Sequence, residues 1–103
     1  MPKILIIEDE AAIRRVLGKI LSEENDTYKV QEAEDGLEGI EIALNTIPDL
    51  IISDVSMPFK TGIELCNYLK NDEKTSHIPI ILLTAKVGNE NEMIGLLVER
   101  MLI

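Results

Sequence analysis

Short, nearly continuous runs of isoleucine and leucine recur along the chain. Three of them cover Ile4–Ile7, Leu50–Ser53 and Ile78–Leu83, and such runs are typical of strands that are buried on both faces of a sheet. A fourth run, Tyr28–Ala33, alternates less cleanly between apolar and polar residues, as a strand nearer the sheet edge does. The pattern therefore predicts three central strands and one peripheral strand.

Apolar residues at helical spacing fill the segments between these strands. They form three sets, which are Ile13, Val16, Leu17, Ile20 and Leu21; Leu37, Ile40, Ala43 and Leu44; and Ile63, Leu65, Cys66 and Leu69. Asp35-Gly36 is a start signal for the second helix, and Asn71-Asp72 is a stop signal for the third. Alternating strands and helices predict an α/β fold, a doubly wound parallel sheet with right-handed crossovers and helices on both faces.

The composition fits a single cytoplasmic domain. The chain has 103 residues, of which 46% are apolar, and this length suits one hydrophobic core. A formal net charge of −9 argues against direct binding to nucleic acid, because Lys and Arg supply most of the affinity for a phosphate backbone. Cys66 is the only cysteine, and the N-terminus shows neither a signal peptide nor a membrane span. We therefore expect a soluble cytoplasmic protein that does not associate with membranes.

Acidic residues follow two of the predicted central strands. Glu8, Asp9 and Glu10 come directly after the first strand, and Asp54 comes directly after the third. In an open parallel sheet the carboxyl ends of the strands meet at one edge, where sites usually lie. Carboxylates gathered there repel one another unless a divalent cation lies among them, and Mg²⁺ is typically held by carboxylates, water and phosphate oxygens. A magnesium site is therefore predicted at this edge.

Asp54 is the candidate nucleophile of this site. A carboxylate beside Mg²⁺ can attack phosphorus and form an acyl phosphate, and a hydroxyl such as that of Thr84, at the end of the fourth strand, can stabilise the phosphoryl oxygens. For Glu10 we prefer a simpler interpretation, a solvated helix N-terminus stabilised by about 0.3–1 kcal/mol. Asp54 alone is equally compatible with a residue that caps a turn, and its position beside the other strand ends favours the site.

Three motifs in this order resemble the receiver domain of bacterial two-component response regulators. They are Ile4–Ile7 followed by Glu8-Asp9-Glu10, the segment Asp54–Gly62 (DVSMPFKTG), and Pro79–Leu83 followed by Thr84-Ala85. The resemblance covers about residues 3–95. It implies a flavodoxin-like (CheY-like) doubly wound sheet with the strand order 2-1-3-4, and a phosphorelay function in signal transduction. Met57-Pro58 and Gly62 are implied to shape the loop that enters the third helix.

The resemblance also implies a role for each matching residue. Asp54 is the implied phosphoacceptor, and Thr84 the implied switch hydroxyl that moves toward the phosphoryl group. The implied ligands of Mg²⁺ are Glu8, Asp9, Asp54 and the backbone carbonyl of Ser56, with Asp9 the more direct ligand of the acidic pair. The implied partner is a histidine kinase or a phosphotransfer domain. The domain is then a switch that catalyses its own phosphorylation, and is not an enzyme with turnover.

The C-terminal segment departs from the receiver pattern. Receivers have five strand–helix units, and the last unit supplies a lysine, a proline and an aromatic residue that Leu97–Ile103 does not contain. Lys86 lies too close to Thr84 in sequence to be that lysine. We therefore interpret the chain as one incomplete receiver domain, with residues 1–95 receiver-like and 96–103 an atypical tail produced by frameshift, truncation or recombination. Without that lysine, which would place a fixed positive charge on the phosphoryl group, we expect impaired phosphorylation.

Two questions of structure and function follow from this departure. The uncovered edge of Ile78–Leu83 predicts that the tail either extends a fourth helix from Asn89 or pairs between chains, as a homodimer or a domain swap. The alternative function is a pseudo-receiver, an interaction module that signals without phosphorylation. A phosphohydrolase is disfavoured, because Ser56 stands where that class of enzyme requires an acid/base aspartate.

Overall fold

The computed structural model describes residues 1–24, 26–57, 60–84 and 97–101, with residues 84 and 97–101 described by their strand pairing. In chain order the elements are β1 (Lys3–Ile7), α1 (Ala11–Glu24), β2 (Lys29–Ala33), α2 (Gly36–Thr46), β3 (Leu50–Asp54), α3 (Gly62–Lys70), β4 (Ile80–Thr84) and β5 (Leu97–Met101). None of the helices in these ranges has the length and apolar character needed to cross a membrane. Strand and helix alternate as the hydrophobic pattern predicts.

Parallel pairing of the first four strands builds the sheet, whose order is β2-β1-β3-β4-β5. β1 lies between β2 and β3, and β3 pairs with β4. Ile7 lies opposite Ala33 on one side and Ser53 on the other, so β1, β2 and β3 reach the same edge together. The predicted order 2-1-3-4 is confirmed, and so is the peripheral position of the second strand.

The C-terminal tail forms a strand, and the prediction that it extends a helix is wrong for residues 97–101. β5 runs antiparallel to β4, with Leu97 opposite Thr84 and Met101 opposite Ile80. The physical reason is that the backbone N–H and C=O groups at the edge of β4 need hydrogen-bond partners. A neighbouring strand supplies these partners, whereas a helix does not. The premise of the predicted dimer contact, an uncovered fourth strand, is therefore wrong too. The predicted start of a fourth helix at Asn89 lies outside the described residues.

Buried apolar side chains cover both faces of the sheet, because successive strand residues point to opposite faces. The larger group lies between the sheet and helices α2 and α3; its members include Leu5, Ile7, Ala33, Ile51, Ile80 and Leu82 from the strands and Ile40, Ala43, Leu65, Cys66 and Leu69 from the helices. On the other face, Ile4, Ile52 and Leu83 pack with Leu17 and Leu21 of α1. The predicted placement of helices on both faces is confirmed.

The loops at the carboxyl edge are held by capped helix starts. Asp35 caps α2, as the Asp35-Gly36 pair predicts. Thr61 caps α3 through a capping box with Glu64, in which each side chain accepts a hydrogen bond from the other residue's backbone N–H. The N–H of Gly62 donates to the carbonyl of Val55 at 2.8 Å. α3 therefore begins directly against the end of β3.

We expect Gly62→Ala to lower the free energy of unfolding by about 1–3 kcal/mol, because the added methyl group overpacks this junction. A Cβ at Gly62 would lie 2.4 Å from the carbonyl oxygen of Asp54 and 3.0 Å from the Cα of Val55. Urea unfolding measures the effect. Gly18→Ala is the matched control: its Cβ would meet the Oε2 of Glu32 at 3.4 Å, and helix propensity should leave stability unchanged or raise it by up to about 1 kcal/mol. Equal stabilities of the two variants would contradict the close approach.

Candidate metal centre

Three carboxylates converge where β1 and β3 end. Glu8 and Asp9 follow β1, and Asp54 is the last residue of β3. One ligand oxygen from each residue lies within 4.8 Å of the corresponding oxygens of the other two. Oxygens bound to one Mg²⁺ or Ca²⁺ ion at about 2.0–2.6 Å are at most about 4–5 Å apart. The spacing of the three side chains therefore suits a single divalent cation.

The three carboxylates differ in their access to solvent. Glu8 has an exposed fraction of 3%, Asp54 is half-buried, and Asp9 is exposed. The Oε2 of Glu8 accepts a hydrogen bond from the backbone N–H of Glu10 at 3.0 Å, and the N–H of Glu8 donates to the carbonyl of Ala33 at 3.1 Å. The centre is thus closed on the side of Glu8 and open on the side of Asp9.

Burial makes this arrangement costly for the charged forms of Glu8 and Asp54. Burial raises the pKa of Glu8 from its ordinary value of 4.5 to about 7; the hydrogen bond from Glu10 opposes the rise, and the charges of Asp54 and Asp9 add to it. The pKa of Asp54 is also raised, first by burial and then by the charge of Asp9, against the hydrogen bond from Ser56. Partly desolvated, mutually repelling oxygen ligands fit a hard divalent cation, whose charge would offset both effects.

The backbone places two further predicted site residues near Asp54. The N–H of Val55 donates to the carbonyl of Leu83 at 3.0 Å, which ties the loop after β3 to β4. Ser56 is exposed, and its N–H lies 3.4 Å from the Oδ1 of Asp54. Asp54 pairs with Leu83 across the two strands, so Thr84 follows one position beyond that pair. The roles of the Ser56 carbonyl and the Thr84 hydroxyl stay predictions, and Pro58 lies outside the described residues.

The interpretation of Glu10 as a helix-start residue agrees with its contacts. Glu10 immediately precedes α1, and its carbonyl accepts a hydrogen bond from the N–H of Arg14 at 3.0 Å. Within the part of the chain that the structure describes, the side chains grouped closely enough to hold a metal ion are those of Glu8, Asp9 and Asp54. Glu10 thus supports Glu8 through its backbone N–H.

Arg14 is a residue of this region that the sequence analysis missed. Its Nη1 donates to the main-chain carbonyl of Glu8 at 2.7 Å, and its Nε donates to the Oε1 of Glu32, on β2, at 3.1 Å. The pattern of hydrophobic residues does not predict these contacts. One available signal is a cation in the first turn of a helix, where the macrodipole favours acidic residues. Arg14 therefore links the acidic centre to the neighbouring strand.

Known proteins resemble this chain in sequence. Residues 4–100 match the response regulator receiver domain family. The chain is 45% identical over 83 residues to histidine kinase P4 of Formosa agariphila, which covers 81% of this chain and 6% of that protein. It is 44% identical over 93 residues to the transcriptional regulatory protein ResD of Bacillus subtilis, which covers 90% of this chain and 37% of that protein. The chain thus spans a small part of the kinase and about a third of the regulator.

Solved structures give the same result. The chemotaxis response regulator CheY4 of Vibrio cholerae superimposes with a TM-score of 0.77 at 33% identity, over 88% of this chain and 74% of that one. The signal receiver domain of a histidine kinase from Syntrophus aciditrophicus gives a TM-score of 0.77 at 36% identity, over 91% of this chain and 69% of that one. The flavodoxin-like fold predicted from the sequence is confirmed.

In metal-free protein, Glu8→Gln should raise stability, and more at pH 8 than at pH 5. The folded-state pKa of Glu8, about 7, lies above its ordinary value of 4.5, so the folded state binds this proton more tightly than the unfolded state. That stabilisation is present below pH 4.5 and is lost as the pH rises through 7, by about 1–3 kcal/mol in total. The neutral amide does not titrate.

Urea unfolding in EDTA at the two pH values measures this difference. Glu24→Gln, at the exposed end of α1, is the control and should keep the pH dependence of the unmutated chain. If Glu8→Gln also kept the pH dependence of the unmutated chain, the raised pKa of Glu8 would be disproved.

Proposed function

Because the chain belongs to the response regulator receiver domain family, we propose that it is a phosphoacceptor switch of a two-component system. Phosphorylation-based signalling is the general function of this family, and its domains are switches that accept a phosphoryl group. Asp54 would receive that group in a Mg²⁺-dependent reaction. The observation that carries the proposal is the set of Glu8, Asp9 and Asp54 oxygens within 4.8 Å of one another at the open edge of the sheet.

The position and burial of Asp54 support its proposed role in phosphoryl transfer. It ends β3 and is half-buried, so its carboxylate is partly desolvated yet reachable from solvent. One of its oxygens forms the bond to phosphorus while the bond from phosphorus to the imidazole nitrogen of a phosphohistidine breaks, and that nitrogen keeps the electron pair. Bound Mg²⁺ supplies positive charge beside the phosphoryl oxygens. The product is an acyl phosphate on Asp54 and a free imidazole on the donor.

The other residues of the centre have supporting roles in this proposal. Glu8 and Asp9 would hold Mg²⁺ together with Asp54 and the backbone carbonyl of Ser56. Asp9, the exposed member, would be the more direct ligand, whereas the buried Glu8 is held by the N–H of Glu10. Thr84 would supply the switch hydroxyl that moves toward the phosphoryl group. Its position in β4, one residue after Leu83, the strand partner of Asp54, supports this role.

We also propose that phosphorylation of this chain is impaired. A fixed positive charge on the phosphoryl group would stabilise transfer. In receivers a lysine of the fifth unit supplies that charge, and Leu97–Ile103 contains no lysine. The same observation favours a second candidate function, a pseudo-receiver that keeps the fold and signals by binding alone.

The proposed partner is a histidine kinase or a phosphotransfer domain that presents a phosphorylated imidazole. Relatives of this chain include histidine kinases and DNA-binding regulators. We propose no direct contact of this domain with nucleic acid, since its formal net charge is −9 and like charges repel. A reducing cytoplasm suits Cys66, which is buried and free.

Asp54→Asn should abolish the response to beryllofluoride with Mg²⁺, a mimic of the phosphoryl group. For the unmutated chain we expect a rise in melting temperature that requires both reagents together, because the mimic binds the nucleophile oxygen and the metal. Asp49→Asn is the matched control, since Asp49 is exposed and precedes the opposite end of β3. It should keep the response.

The outcome separates the two candidate functions. Loss in Asp54→Asn alone supports the phosphoacceptor. Absence of any response in an unmutated chain that still binds Mg²⁺ supports the pseudo-receiver. A response that survives in Asp54→Asn rules out Asp54 as the acceptor.

We further propose that β5 can pair with β4 of a second copy, which would give a domain-swapped homodimer. The support is the β4–β5 register, because an exchange between copies preserves every backbone pair from Thr84–Leu97 to Ile80–Met101. Light scattering should show a dimer fraction that grows with protein concentration. A monomer at the highest soluble concentration would contradict the swap.

A further inference from the structure

Arg14 makes two hydrogen bonds in different directions from one side chain. Its Nη1 reaches the carbonyl oxygen of Glu8 at 2.7 Å, and its Nε reaches the Oε1 of Glu32 at 3.1 Å. The Arg14 side chain is 14% exposed, so it is largely enclosed, whereas that of Glu32 is 45% exposed. The other oxygen of Glu32 lies against Gly18 of α1, where an added Cβ would be 3.4 Å away. The guanidinium thus bridges the end of β1, helix α1 and strand β2.

We propose that Arg14 is a positioning residue for the cation site, which it serves by fixing the peptide group between Glu8 and Asp9. This inference rests on the proposed function, since it concerns the same acidic centre. The carbonyl that Arg14 binds belongs to the peptide unit that joins these two residues. That unit is planar, so its orientation sets the direction in which the backbone of Asp9 continues. Holding the carbonyl therefore aligns both carboxylates with Asp54.

The local backbone needs such a support. Regular pairing of β1 ends at Ile7, and α1 begins at Ala11. Between them, the N–H of Glu8 donates to the carbonyl of Ala33, and the carbonyl of Glu8 accepts from Arg14. The two backbone polar groups of Glu8 are thereby held, one by β2 and the other by a side chain of α1. Without Arg14, the carbonyl of the peptide unit between Glu8 and Asp9 would lose its hydrogen bond, and the bond from the N–H of Glu8 would be left to hold the backbone of that residue.

The charge of Arg14 does not explain how this residue could favour cation binding. Arg14 lies in the first turn of α1, where the helix macrodipole disfavours a cation. A positive charge near the acidic centre would also weaken cation binding by repulsion. Geometry gives a reason, because a planar guanidinium donates in two fixed directions at once, whereas a lysine ammonium is a single flexible point charge. The positional effect and the charge effect of Arg14 on Mg²⁺ affinity therefore have opposite signs.

Mg²⁺ affinity measured by calorimetry on the full chain tests the proposal. We expect Arg14→Ala to weaken binding about 10-fold, the size typical of residues that orient metal ligands. Arg14→Lys, which keeps the charge, should also weaken binding. Arg15→Ala is the matched control, because Arg15 is the next residue of α1, is exposed and carries the same charge. It should leave the affinity unchanged or slightly tighter.

A second set of measurements separates positioning from general stability. Urea unfolding in EDTA reports the metal-free stability of each variant, and the amide resonances of Asp9 and Glu10 report the geometry of the peptide. A merely structural Arg14 would change the first and leave the Mg²⁺ affinity of the folded variants intact. Glu32→Gln removes the charged partner of Arg14 and should give a smaller loss of affinity. If the Arg14 variants do not fold, the Mg²⁺ affinity of Glu32→Gln tests the proposal in their place.

Three results would overturn or limit the proposal. Mg²⁺ affinity in Arg14→Ala equal to or tighter than that of the unmutated chain would show that the arginine acts by charge alone or not at all. If Asp54→Asn weakened binding while the variants of Arg14 and Glu32 did not, only this inference would fall. If the unmutated chain bound no Mg²⁺, this inference and the proposed metal-dependent function would fall together.

Discussion

Parallel pairing of β1 with β3 is the interaction on which the acidic centre depends. It aligns Ile7 with Ser53, so that the residues immediately beyond reach one edge side by side. The fully buried apolar side chains of this pair of strands are Leu5, Ile6, Ile7 and Ile51, and each stabilises the fold by about 1.5–3 kcal/mol. The rise in the pKa of Glu8 from 4.5 to about 7 corresponds to about 3 kcal/mol. Burial of these side chains therefore exceeds the cost of keeping a charged Glu8 at this edge, which comes chiefly from desolvation.

The same constraint connects stability to ligand binding. A folded chain without a cation keeps a partly desolvated set of carboxylates at one edge, and a ligand that binds only this folded arrangement stabilises it by mass action. The centre depends on the surrounding backbone as well as on its three carboxylates. Glu10 supports the side chain of Glu8, and Arg14 supports its carbonyl. Support of this kind determines how closely the ligands approach their binding geometry.

The opposite side of the sheet follows a different rule. A parallel strand beside β4 would have to begin at the edge of the sheet where β4 begins, so the chain would have to cross the sheet first. An antiparallel strand begins at the edge where β4 ends. Leu97 lies opposite Thr84, so the chain leaves and rejoins the sheet at the same edge. Antiparallel pairing needs no crossover. The tail therefore covers the edge of β4, which the sequence analysis expected to be left uncovered.

The sequence by itself determined the first four strands, the three helices between them and the acidic residues at the strand ends. These features follow from local patterns: apolar runs, helical spacing, and signals such as Asp35-Gly36. The strand order was implied by the resemblance to receivers. The tail was ambiguous, because a short apolar segment suits a helix or a strand equally well, and only the uncovered edge of β4 decided between them. The burial of Glu8 and the bridge from Arg14 to Glu32 were likewise decided by the tertiary structure. Both depend on which residues distant in sequence become neighbours, and local periodicity does not encode that proximity.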